Sequence, residues 1–175
     1  MDFIAQADTV TIMDALRRVV RTLRVGSRAA ERDLGLSGAQ LYVLQQLAER
    51  PAESLTALAA RTHTHQSSVS VVVQRLVARR LVVARPARDD ARRFTLAITP
   101  SGRARLARAP EAAQQRMVRA IHQLRPALRR SLAVGLASVA ARMETAPGQP
   151  DMFFEDEAER AMARPAPARR GRRRA

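Results

Sequence analysis

Apolar residues recur at four- and three-residue spacing from about Val10 to Arg32, at Ile12, Leu16, Val19 and Leu23, with Arg17, Arg21, Arg24 and Arg28 between them. That spacing predicts an amphipathic helix with one apolar stripe. Gly35 breaks the pattern, and Ser37-Gly-Ala-Gln40 then reads as a capping box. In such a box the Ser and Gln side chains each satisfy an orphan backbone N–H at a helix start. Leu41, Leu44 and Leu47 carry this second helix to Glu49, and Pro51 closes it. Ser54 or Leu55 opens a short third helix to about Arg61, with Leu55, Leu58 and Ala59 inward. Thr62-His-Thr-His65 is a tight connection, after which Val69, Val72, Val73 and Leu76 mark a fourth helix from about Gln66 to Arg79.

The period then changes. Leu81–Arg85 is β-branched and extended, Pro86–Asp90 is a charged tip, and Arg93–Thr99 alternates as a strand does. This hairpin is marginal alone and has to lean on the helices. Thr99-Pro100 fits an N-cap followed by proline at the first helical position, and Pro110 is expected to kink or interrupt the helix it opens. Met117, Ile121 and Leu124 continue a helical stripe. After Arg125-Pro126, a second such start, Leu128, Leu132, Leu136, Val139 and Met143 form a long final stripe. From residue 146 the pattern stops. An acidic patch (Asp151, Glu155, Asp156, Glu157, Glu159) precedes an end rich in Pro, Ala and Arg, so 146–175 is expected to be a disordered tail.

Composition narrows the chemistry. The 175 residues suit one domain plus an extension, and 46% apolar content is enough for a core. With aromatics at 3% and no Trp, that core must be aliphatic. The 31 basic residues, all Arg, outnumber 16 acidic ones and give a net charge of +15, a field that attracts polyanions. Without Cys there is no disulfide, thiolate metal site, Cys nucleophile or thiol redox sensor. The only histidines, His63, His65 and His122, have no metal-ligand spacing. Neither a Gly-rich phosphate loop nor a catalytic constellation is present, so no enzyme activity and no cofactor are implied. No signal peptide and no apolar run of membrane length is visible, which reads as a soluble cytoplasmic protein without a membrane partner.

Two short helices joined by a tight turn, the second polar on its outer face, form the helix-turn-helix arrangement. On that face stand Ser67, Ser70, Val71, Gln74 and Arg75. A helix fits the major groove, where Gln66, Ser67, Ser70, Val71 and Gln74 would meet base edges. Gln pairs bidentately with adenine, and Val71 suits a thymine methyl. Ser68, Arg75 and Thr56 suit phosphates, which position without specifying sequence.

Leu58-Ala-Ala-Arg61, Ser67-Ser-Val-Ser70, Arg75–Val82, Arg85-Pro86, Asp90-Ala-Arg-Arg93 and Ile98-Thr-Pro-Ser-Gly102 together resemble the winged-helix core of the MarR family. The similarity covers about residues 12–143. It implies a mainly α fold with a small β-hairpin wing, in which 1–145 is a winged helix-turn-helix (about 37–99) with a helical dimerisation domain (helices about 10–32 and 100–143). By position, Arg92 would enter the minor groove and Asp90 would hold the wing loop, with Arg85, Arg88 and Arg93 along the backbone. Narrow A/T minor grooves attract Arg. The resemblance further implies a homodimer on a double-stranded, pseudo-palindromic operator, acting as a repressor released by a small-molecule effector such as an aromatic acid. No residue identifies the effector or its pocket. The alternative reading is an architectural DNA-binding protein of low sequence specificity, which the Arg-rich end favours and the wing opposes. Three positions depart from the family. His65 stands where an Asp or Pro cap is common, so the cap is either Thr64 or a His65 that faces DNA. Arg80 takes the place of a turn Gly, and Val71 that of a base-reading Arg.

Overall fold

The computed structural model describes residues 3–86, 94–143 and 152–153. Among them run α1 (Phe3–Leu34), α2 (Gly38–Glu49), α3 (Leu55–Thr62), α4 (Gln66–Ala78), β1 (Val82–Pro86), β2 (Phe94–Ile98), α5 (Pro100–Leu106), α6 (Ala113–Gln123) and α7 (Pro126–Met143). The fold is mainly helical with one antiparallel hairpin. α1 starts earlier than its apolar stripe does.

Each local start signal acts as its chemistry requires. Ser37 accepts from the Gln40 N–H at 3.2 Å while Gln40 Oε1 accepts from the Ser37 N–H at 3.2 Å. Ser54 caps α3 through the Ala57 N–H, and Thr99 caps α5 through the Gly102 N–H, with Pro100 at the first turn. Gly102 cannot carry a side chain: a Cβ there would collide with the Leu81 carbonyl and lie 2.7 Å from Ile98 Cγ1. The Thr-x-x-Gly start thus lets α5 press directly on the base of the hairpin.

Pro110 does interrupt the helix, separating α5 from α6. Gln45 of α2 braces the gap, donating to the Pro110 carbonyl at 2.8 Å and accepting from the Ala112 N–H at 2.9 Å. The turn after α1 runs through Gly35 (φ +63°), and arginines satisfy the carbonyls there. Arg79 Nη1 donates to the Gly35 carbonyl at 2.6 Å and to Gln40 Oε1 at 3.1 Å, and Arg105 Nη1 donates to the Leu34 carbonyl at 2.7 Å. Cations suit a helix C-terminus. Part of the basic excess is therefore structural.

The core lies in the reading head. Leu36, Leu44, Leu47, Leu58, Val69, Val72 and Leu76 are fully buried around Tyr42 and meet Val82, Leu96 and Ile98 of the hairpin. The strands pair from Val82↔Ile98 to Pro86↔Phe94. A third edge, absent from the sequence reading, is Ala52, which exchanges backbone hydrogen bonds with Leu96 at 2.9 and 2.7 Å. This ties the α2–α3 loop to the hairpin. α7 contrasts with all of this, for none of its side chains is buried. Met152, within the 146–175 stretch expected to be a disordered tail, is 3% exposed and part of the core cluster. The wing tip expected at Pro86–Asp90 lies outside the described residues from residue 87 to residue 93.

Candidate nucleic-acid interface

α4 is held with one face down and one face out. Val69, Val72, Val73 and Leu76 are buried, whereas Gln66, Ser67 and Gln74 are exposed and Ser70, Val71 and Arg75 are half-buried beside them. The helix therefore offers a polar ridge wide enough for a groove, backed by a rigid aliphatic base. Ser68 corrects the sequence reading. At 4% exposure it lies with the apolar stripe, one turn before Val72, and is not on the outer face. Its residue type suggested a phosphate contact, but its helical position puts it inward.

The turn leading into α4 is tightly determined. His63 takes a left-handed conformation (φ 53°), its N–H donates to the Ala60 carbonyl and the Thr64 N–H donates to the Ala59 carbonyl at 3.0 Å. Thr62, fully buried, donates its hydroxyl to the Leu58 carbonyl at 2.9 Å. Of the two caps considered, His65 occupies the N-cap position. Its side chain makes no capping hydrogen bond and is exposed. Thr56 and Gln66, read separately from sequence, are brought together: Thr56 Oγ1 donates to Gln66 Oε1 at 3.0 Å. That engages the oxygen a bidentate pair with adenine needs and leaves the Gln66 amide hydrogens to meet an acceptor.

At the other end, Arg80 is left-handed (φ 57°), the conformation for which the family uses glycine. The chain there reverses from α4 into β1, where Arg85 is exposed. Arg88, Asp90, Arg92 and Arg93 lie outside the described residues. One contact invisible in the sequence joins the head to the arms. His63 and His122 meet edge to face, ring centres 5.5 Å apart at 88°. They line a cleft of about 360 Å³ with Tyr42, Gln46, Arg61 and Arg119. Arg61 Nη1 donates to the Arg50 carbonyl at 3.0 Å, and burial, then the Arg50 charge, lowers the Arg61 pKa. Burial first and Glu49 second raise that of Tyr42, which therefore stays neutral at ordinary pH. A second, more apolar cleft of about 490 Å³ lies between α1 and α6, lined by Ala15, Val19, Leu23, Met117 and Ala120. Among the described residues no group of three or more metal-ligating side chains assembles, and no helix is long and apolar enough to cross a membrane.

Residues 34–93 match the model of the MarR family. No curated protein matches the chain in sequence. Among solved structures, Sco3205, a MarR family transcriptional regulator from Streptomyces coelicolor in complex with DNA, shares the fold at 22% identity and a TM-score of 0.52, over 87% of this chain and 99% of its own. The transcriptional repressor CouR, bound to a 23-mer DNA duplex, is 28% identical with a TM-score of 0.50, over 72% of this chain and 89% of its own. BpsR of Bordetella bronchiseptica is 26% identical with a TM-score of 0.50, over 74% of this chain and 98% of its own. The match runs from the end of α1 through α2, α3, α4 with its outward face, and β1, and over that stretch the chain is similar to the MarR family of DNA-binding transcriptional regulators, whose fold these neighbours share.

Proposed function

We propose that the protein is a cytoplasmic repressor that binds a pseudo-palindromic operator as a homodimer and is released by a small-molecule effector. The observation that carries the dimer is α7, a helix from Pro126 to Met143 that buries no side chain, although Leu128, Leu132, Leu136 and Val139 recur along it. A helix with such a stripe forms stably only against a partner surface. Ile12, Met13, Val19 and Val20 leave a matching apolar face on α1. Two heads joined through these arms would meet successive major grooves about one helical turn apart.

In this reading Gln66, Ser67, Ser70, Val71 and Gln74 meet base edges, while Thr56 and Arg75 contact the backbone. The wing supplies Arg92 to the minor groove, with Asp90 shaping its loop and Arg85, Arg88 and Arg93 beside it. For the effector, the support is a neighbour: DNA binding of BpsR is regulated by 6-hydroxynicotinic acid. An aromatic acid would have two clefts to occupy, one at the join between head and arms and one between α1 and α6. The architectural alternative draws on the Arg-rich end at 164–174. Footprinting on the promoter of the protein's own gene separates the two readings. A discrete inverted repeat supports the repressor, and diffuse protection supports the coating protein.

A further inference from the structure

The chain re-enters the fold after α7. Met152, 3% exposed, belongs to the buried cluster of the reading head and is the one member of it that comes from beyond Ala112 among the described residues. Phe153, half exposed, lines the adjoining cleft together with Leu23 and Gly26 of α1, Leu41 of α2, and Ala113 and Gln114 of α6. The free volume left there, about 10 Å³, is at the lower limit for a single water.

Three elements converge at this point more closely than side chains normally allow. A Cβ on Gly26 would lie 2.7 Å from the Ala113 Cβ, so α1 and α6 touch backbone to side chain. The Gly38 N–H donates to the Ser27 hydroxyl at 3.1 Å, joining α1 to the first turn of α2. The arms and the head therefore hinge on one small apolar socket. The sequence around the insertion fits the task. Met152, Phe153 and Phe154 stand together between Asp151 and Glu155, and those two Phe are half of the four in the whole chain. A segment meant only for solvation has no use for such a cluster, since apolar side chains gain by leaving water.

We propose that Met152–Phe153 is an intramolecular plug that fills the socket where α1, α2 and α6 meet and locks the reading head to the arms. The C-terminal segment thereby governs how freely each head moves. In a dimer the distance between the two α4 helices depends on this joint, so the plug favours one operator spacing; this consequence rests on the homodimer proposed above. Removing the plug loosens the joint while leaving the head's own core of Leu44, Leu58, Val72 and Leu76 in place.

The test compares the full chain with Met152→Asp, Met152→Leu and a truncation that removes residues 161–175 but keeps the plug. Hydrogen exchange is followed at residues 23–30 and 38–42. Met152→Asp should speed exchange there by about tenfold or more, the scale set by burying one large aliphatic side chain, with α3 and α4 unaffected. Met152→Leu and the truncation should match the parent. Because the chain has no Cys, a spin label at Gln74→Cys also reports the distance between heads across the dimer. That distribution should broaden in Met152→Asp alone. Unchanged exchange at both segments in Met152→Asp would overturn the plug. So would loss of protection throughout the head in Met152→Asp and also in Met152→Ala, a milder variant added to the comparison, which would make Met152 an ordinary core residue. An absent dipolar signal in every variant would remove the dimer reading instead, and exchange would still decide the plug.

Discussion

The reading head and the arms have similarly regular apolar stripes and opposite fates. In α2 and α4 the stripe finds partners within the chain, so Leu41, Leu44, Leu47, Val69, Val72 and Leu76 are buried. In α7 the stripe finds none, and Leu132, Val134, Leu136 and Val139 are exposed along its length. α1 contains both situations. Its C-terminal third buries Leu23, Ala30 and Leu34 against the head, while Val10, Ile12 and Val19 stay outside. Periodicity thus establishes that a helix has a face to cover, and topology decides whose surface covers it. The head is a module that is complete in one chain.

That contrast can be broken at either end. The largest effect is expected from charging the arms: Leu132→Asp with Val139→Asp should raise the dimer dissociation constant by roughly three orders of magnitude, because two carboxylates from each chain would be desolvated in an apolar interface. Analytical ultracentrifugation checks this, and circular dichroism should still report a folded head. Leu76→Ala attacks the other end. At a fully buried site it should cost about 2–5 kcal/mol of stability, read by chemical denaturation of the head, with no direct effect on the arm surface.

Smaller effects sharpen the division of labour on the head itself. Gln74→Ala should change base preference by about 1–3 kcal/mol in operator-selection assays while leaving the melting temperature near the parent's, since the residue is exposed. Arg92→Ala should weaken operator binding with little change in folding, as expected of a wing residue in the minor groove. The gentlest change is Arg80→Gly. A non-glycine residue at φ 57° carries left-handed strain, so glycine should be neutral or stabilising by about 1 kcal/mol in thermal melts.

What was legible in the sequence was local. The Ser37–Gln40 box, the caps at Ser54 and Thr99 and the break at Pro110 are fixed by residues within a turn of one another, and each appears where its chemistry predicts. The outer face of α4 was legible for the same reason, and the buried Ser68 lies off it, with the apolar stripe. The rest was long-range. Nothing in the local pattern links Ala52 to Leu96, His63 to His122, or Met152 to the core, because each pairing depends on how distant elements pack. Arginine was ambiguous in a different way. Arg79 and Arg105 serve helix ends within the fold, and the net charge does not distinguish them from arginines that meet phosphate.

Sedimentation equilibrium at micromolar concentration decides whether a second copy completes the arms. A homodimer gives a single species of twice the 19.3 kDa chain mass, shifting to the monomer mass in Leu132→Asp/Val139→Asp. A folded species at 19.3 kDa for the unaltered protein would contradict it.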